Sequence, residues 1–162
     1  MPKFLISVKA ELENVTNVRP QDPDNYDWKL KFKCSSCQEE HSGWVIINAS
    51  EEVEQSNSRG VANLVMRCKG CKNEGTTNIL TDTLRAYDAD ENGQFAPLVH
   101  VECRGLEPIA WGPSDGWAAE GTESGTRFDE IPLGEGEEWA DYDEKAALPV
   151  GITDMEGKIG RA

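Results

Sequence analysis

Long apolar runs are missing from this 162-residue chain. No stretch nears the roughly 18 consecutive apolar residues that a membrane-crossing helix needs, and the opening MPKFLISVKAELEN is broken by Lys9 and Glu11 too early for a secretory leader. The expected location is the cytoplasm, with nuclear access open, and no membrane partner is expected. The sequons Asn14-Val15-Thr16 and Asn48-Ala49-Ser50 are then chance matches, because glycosylation never meets them. Positive charge is scarce as well. Sixteen Lys and Arg against thirty Asp and Glu leave a net charge of -14, which a phosphate backbone repels, so nucleic acid is excluded as a partner. The acidity serves solubility before it serves docking. No segment carries a convincing amphipathic-helix period, which turns the fold question toward strands.

Five cysteines are present. An odd count excludes a fully paired disulfide framework, and a reducing compartment disfavours any, so metal or catalysis must account for them. An apolar fraction of 38% with five Trp, four Phe and three Tyr is enough for a folded body, either one domain or two small subdomains sharing an interface.

Phe4, Ile6, Val8, Ala10 and Leu12 alternate with Ser7, Lys9 and Glu11, the period-two pattern of a half-buried strand. After the turn-rich RPQDPDN at 19–25, Trp28, Leu30 and Phe32 alternate with lysines and run into Cys34. Trp44 to Ile47 is a further apolar run, followed by a polar segment over 50–60. Leu64 and Met66 then deliver Cys68, so both cysteine pairs follow strand ends. TTNILTDTL at 76–84 is rich in β-branched residues and continues the sheet. Past the turn DADENG at 88–93, Phe95, Val99, Val101 and Cys103 share one parity. KLKFKCSSC followed by Trp44 is echoed by LVHVECRGL followed by Trp111, with Leu106 where a second cysteine would fall. Strand candidates continue at 126–133 and in WADYDEK at 139–145. The expected organisation is a first β unit over 1–86 carrying the cysteine pairs, a second over 87–150 without metal, and a tail over 151–162 with little to bury, which frays.

Each C-x-x-C lets two sulfurs of one tight turn converge on an ion, and two such turns complete a tetrahedron. Cys34-Ser-Ser-Cys37 and Cys68-Lys-Gly-Cys71 meet that requirement, with Gly70 suited to a turn that needs positive φ. The pairs lie farther apart than in a compact zinc ribbon, an interval that strands out and back can fill. Soft, closed four-cysteine coordination favours one Zn²⁺ per chain, with iron the runner-up. Lys33, Arg67, Lys69 and Lys72 flank the ligands, where their charge would favour thiolates. Four protein ligands leave no open position for water or substrate, so the metal would hold the fold, with a stabilisation on the order of 10 kcal/mol.

Other constellations are weaker. A dithiol oxidoreductase uses a helix N-terminus to depress its thiol pKa, and none is evident. Cys103, with His41 or His100 as base, would make a nucleophile, but its parity marks an inert buried thiol; His41 reads as a surface residue. Asp88, Asp90, Asn92 and Gly93 copy the start of a calcium loop whose twelfth position is Val99 rather than Glu, so a polar turn is expected. Asp141, Asp143 and Glu144, with Ser114, Ser124 and Thr126, have no framing nucleophile motif and read as a solvated acidic segment.

Beyond the cysteines, LENVTNVRP at 12–20, ECRGLEP at 102–108, EGTESGTRF at 120–128 and WADYDEK at 139–145 make the chain resemble the CXXC-motif-containing zinc-binding protein family of eukaryotes, the UPF0587 or DUF866 group. The resemblance covers about 12–150. It implies an all-β protein of two similar antiparallel subdomains, sandwich or partly open barrel, related by a pseudo-twofold. It also implies zinc in the first half only, on Cys34, Cys37, Cys68 and Cys71. PLGEGEEW at 132–139 and the tail depart from the family's character without touching the ligands. The family implies no reaction. The expected function is therefore that of a non-enzymatic, monomeric zinc-binding protein whose partners are other proteins, contacted through GPSDGWAAEG at 112–121, where Trp117 lies among small polar residues. The alternative is trafficking of zinc, copper or thiols by exchange at the cysteines.

Overall fold

Alternating side chains become strands throughout the computed structural model, which describes residues 2–41, 43–56 and 60–161. The first half supplies β1 (Lys3–Glu13), β2 (Val15–Pro20), β3 (Trp28–Cys34), β4 (Val45–Ile47), β5 (Val53–Glu54), β6 (Val61–Ala62), β7 (Leu64–Arg67) and β8 (Glu74–Leu80). The second supplies β9 (Ala96–Arg104), β10 (Leu106–Gly112), β11 (Trp117–Gly121), β12 (Arg127–Ile131), β13 (Trp139–Asp143) and β14 (Leu148–Arg161). Among the described residues the only helical pieces are three single 3₁₀ turns. The fold is all-β and antiparallel, its sheets forming a half-barrel.

The main sheet has six strands in the order β13-β14-β1-β9-β8-β7, and two three-stranded sheets, β10-β3-β4 and β12-β11-β2, pack with it. Each of these takes strands from both sides of residue 86. Burial follows the pleat: Trp28, Leu30, Phe32 and Cys34 point inward while Lys29, Lys31 and Lys33 between them do not. Tyr87 fills the centre beside β1, its hydroxyl within hydrogen-bond distance of the carbonyls of Glu91 (2.6 Å) and Gln94 (2.7 Å), one of which takes its proton. A buried phenol needs such partners. The polar segment over 50–60 carries the short β5-β6 hairpin; its residues 57–59 lie outside the described residues.

Several expectations fail here for identifiable reasons. The tail does not fray: β14 lies between β1 and β13 and pairs with both. What its sequence hides is that it buries its neighbours' atoms as well as its own. A Cβ at Gly157 would fall 2.0 Å from the Trp111 ring, so the bare backbone there is the floor on which that indole lies. Phe95 precedes β9 and is 38% exposed, with the ammoniums of Lys9 and Lys158 over its ring. A register shift where β9 meets β1 breaks the parity and buries both Leu98 and Val99. The strand expected over 76–84 ends at Leu80, where residues 81–83 turn into a 3₁₀ helix and Thr83 donates its hydroxyl to the Leu80 carbonyl (2.6 Å).

The acidic segment also contains a surprise. Asp143 is buried rather than solvated. Its carboxylate accepts from the Ser124 hydroxyl, from Thr126 Oγ1 (3.0 Å) and from the Ala146 N–H (3.2 Å), pinning the turn after β11 to the end of β13. A Cβ at Gly121 would strike this carboxylate. The Ser124 hydroxyl is the largest influence holding Asp143 below the usual carboxylate value; burial opposes it, and the Ala146 and Lys145 amides and Thr126 reinforce it.

Two outcomes follow. Gly157→Val should lower the urea midpoint of the full chain, a loss of about 1–3 kcal/mol from overpacking, whereas Gly160→Ala, with nothing within 4 Å, should change stability by less than about 0.5 kcal/mol; equal midpoints would contradict the packing of β14. For Asp143 the folded pKa is depressed, so its contribution is complete above the unfolded value near 4 and is lost as pH falls through the lower folded value. Asp143→Asn should therefore destabilise at pH 7 and flatten the acid limb of a stability-versus-pH curve below about pH 4. An unchanged acid limb would mean the carboxylate carries no charge-dependent role.

Candidate metal centre

Two loops of matching backbone geometry hold the cysteine pairs. Where β3 ends, the Gln38 N–H donates to the Cys34 carbonyl (2.9 Å) and the Cys34 N–H to the Glu39 carbonyl (2.9 Å). Where β7 ends, the Lys72 N–H donates to the Cys68 carbonyl (2.9 Å) and the Cys68 N–H to the Asn73 carbonyl (2.8 Å). Gln38 and Lys72, each just after the second cysteine of its pair, both take φ of 66°. Positive φ thus falls on these residues and not on Gly70, as the sequence had led us to expect. Gly70 instead makes room, because a Cβ there would meet the Glu39 carboxylate. Asn73 Nδ2 donates to Ser36 Oγ, tying one loop to the other.

The loops bring four sulfurs together. Cys34 Sγ lies 3.6 Å from Cys71 Sγ, and Cys37 Sγ lies 3.6 Å from Cys68 Sγ; all four lie within 4.8 Å of one another. A disulfide would need about 2.05 Å, so none is formed. Metal–sulfur bonds of about 2.3 Å in a tetrahedron require edges of about 3.8 Å, and the cluster has that size. Cys34 and Cys68 are buried and Cys37 and Cys71 exposed, so each loop contributes one buried and one exposed residue.

Electrostatics point the same way. Backbone N–H groups, that of Cys37 foremost, draw the Cys34 thiol down to about 7. At Cys37 the Glu39 N–H favours the thiolate, but burial and the neighbouring sulfurs prevail and push it up to about 12. At Cys71 the Asn73 N–H likewise favours the thiolate, yet the Cys34 sulfur and burial raise it. Sulfurs this close resist ionising together. A dication among the sulfurs removes that resistance, and the donor set of four soft thiolates fits Zn²⁺.

The flanking lysines contribute less than their positions suggested. Lys33 turns to Glu107 (3.5 Å), and among the described residues Arg67, Lys69 and Lys72 form no ion pair. Their role falls to the backbone amides, which composition cannot reveal. Cys68 Sγ instead contacts the Glu39 carboxylate (3.6 Å).

The remaining candidates do not converge on the cluster. His41 is half-buried and held through its backbone by Phe32. Cys103 is buried beside Thr77 Oγ1 (3.4 Å), and burial pushes its thiol up to about 11, which makes it unreactive. Residues 88–93 form a capped 3₁₀ turn. Ser114 gives its hydroxyl to the Asp27 carbonyl (2.8 Å). Trp117 corrects the expected contact region, since it is fully buried, its indole N–H donating to the Ser114 carbonyl (2.8 Å) and its ring packed edge-on against Tyr26. The indole that does face solvent is Trp44.

The family model described as CXXC motif containing zinc binding protein, eukaryotic, matches residues 5–160. A protein of that name from Mus musculus is 45% identical over 155 residues, 96% of each chain. The crystal structure of C1orf123 superposes with a TM-score of 0.91 at 42% identity over 99% of both chains. A hypothetical protein from Plasmodium falciparum superposes with a TM-score of 0.84 at 27% identity, over 99% of this chain and all of that one. The family is named for zinc binding and not for a reaction. With a four-sulfur cluster in place and the match running almost end to end, the chain belongs to the eukaryotic family of CXXC motif containing zinc binding proteins.

Proposed function

We propose that Cys34, Cys37, Cys68 and Cys71 hold one Zn²⁺ per chain in a closed structural site, and that the protein is a non-enzymatic scaffold presenting a β surface to other proteins. One observation carries this reading. Cys34 ends β3 in the β10-β3-β4 sheet, whereas Cys68 follows β7 at the edge of the main sheet. An ion shared by the two loops would staple one sheet to the other at a point where few apolar side chains can, since Leu64, Val65 and Met66 of β7 are only half-buried. Leu106 supports the same corner: it is buried opposite Cys34 in the β10-β3 register, and a Cβ on Gly75 would collide with it.

A second reading, exchange of zinc or copper with a partner, draws on the exposure of Cys37 and Cys71. An incoming thiol would approach the site from the side of these two residues. The dithiol oxidoreductase reading has no comparable support.

Purified protein should contain one zinc per chain. Cys34→Ser and Cys68→Ser should each lose it, while Cys103→Ser should keep it. With a chromophoric chelator in excess, zinc should leave no faster than the chain unfolds by circular dichroism, and its affinity should fall as pH drops and protons compete for the thiolates. Rapid release with an unchanged β signal would replace the structural reading with the trafficking one.

A further inference from the structure

We infer that the cleft between Trp44 and the turns at 113–115 and 134–137 is a docking site for an extended basic segment of another protein. An apolar residue of that segment lies against the Trp44 indole, and a Lys or Arg side chain enters the acidic end. This deepens the scaffold reading above and rests on it for the kind of partner.

Two adjoining cavities make the cleft, of about 580 and 360 Å³, and they share Lys29, Pro113 and Glu135. The larger is walled by Trp44, Trp111, Pro113 and Met155, with Glu156 at its edge. The smaller is lined by Asp27, Asp115, Glu135 and Glu137. Apolar wall and acidic end are therefore continuous, and across both linings five carboxylates stand against Lys29, with the Lys31 ammonium beside Trp44.

Trp44 has the features of an anchor. It is 44% exposed, and its ring lies beside the backbone of Gly112, where a Cβ would be 3.4 Å from the indole. The ammoniums of Lys29 and Lys31 sit 5.1 and 4.8 Å from the ring centroid, and among the described residues neither has a carboxylate within ion-pair distance. A half-exposed indole is the kind of side chain that dominates binding energy at protein interfaces. Ile46, 60% exposed on the same strand edge, extends the apolar rim.

Charge selects the occupant. An acidic or phosphorylated segment would be repelled by the carboxylates of the smaller cavity and by a net charge of -14. A basic one is attracted by both. Asp115 is already oriented, its carboxylate accepting the Gly134 N–H (2.8 Å). Two cavities in series suit a chain of several residues better than a lone cation.

The test uses the full zinc-loaded chain and three fluorescein-labelled hexapeptides, PLPRPL, PLPEPL and AAARAA, followed by anisotropy at two salt concentrations. PLPRPL should bind with saturation and weaken as salt rises, and each of the other two should bind at least tenfold more weakly. Trp44→Ala and the double substitution Glu135→Lys, Glu137→Lys should each weaken PLPRPL at least tenfold while zinc content and urea midpoint stay unchanged. No binding up to millimolar peptide, tighter binding of PLPEPL, or indifference to both variants would overturn the proposal. Argininamide alone matching PLPRPL would also overturn it, in favour of a small-cation site. Normal peptide binding by a Cys34→Ser chain that has lost zinc would sink the zinc-staple reading and leave this one standing.

Discussion

Four sulfurs within 4.8 Å of one another are a constraint that the rest of the chain must respect. Thiolates at that distance repel, and the neighbouring sulfurs help to push Cys37 and Cys71 up. Neutralising that repulsion is what a soft dication does well. The two loops that carry the sulfurs belong to different sheets, so the same ion that relieves the repulsion would close a corner that apolar packing leaves thin. Backbone amides donated within each loop set the charge distribution, and the Ser36–Asn73 contact sets the distance between the loops.

Around that corner the fold depends on side chains that are absent. Gly75 yields to Leu106, Gly70 to Glu39, Gly121 to Asp143 and Gly157 to Trp111. In each case a strand or turn without a Cβ receives a bulky or charged neighbour from elsewhere in the chain. Gly157 in this way lets Trp111 bury its ring, while Trp28 and Trp117 are buried by their aromatic and strand neighbours. The buried tryptophans hold the sheets together, and Trp44 stands in the wall of the larger cavity.

Much of this was legible beforehand. Period-two runs located β1, β3 and β9, and the paired C-x-x-C spacing identified the four sulfurs that the structure brings together. Local pattern failed where a residue's role is set by a distant partner. Trp117 looked exposed because its neighbours are small, but Tyr26, ninety-one positions away in sequence, and Trp111 enclose it. Asp143 looked solvated because its segment is acidic, yet Ser124 and Thr126 from a different turn satisfy it. The tail looked idle because its glycines bury nothing of their own. Phe95 was misplaced by one shift of register, which period-two reading cannot see.

The central claim is that the sulfurs of both loops bind one ion together. Zinc K-edge X-ray absorption on the purified chain tests it most directly: four sulfur neighbours at about 2.3 Å, with no lighter atom in the first shell, is the expected result. A shell of two sulfurs completed by nitrogen or oxygen would show that the two loops do not share the metal, and would contradict the account.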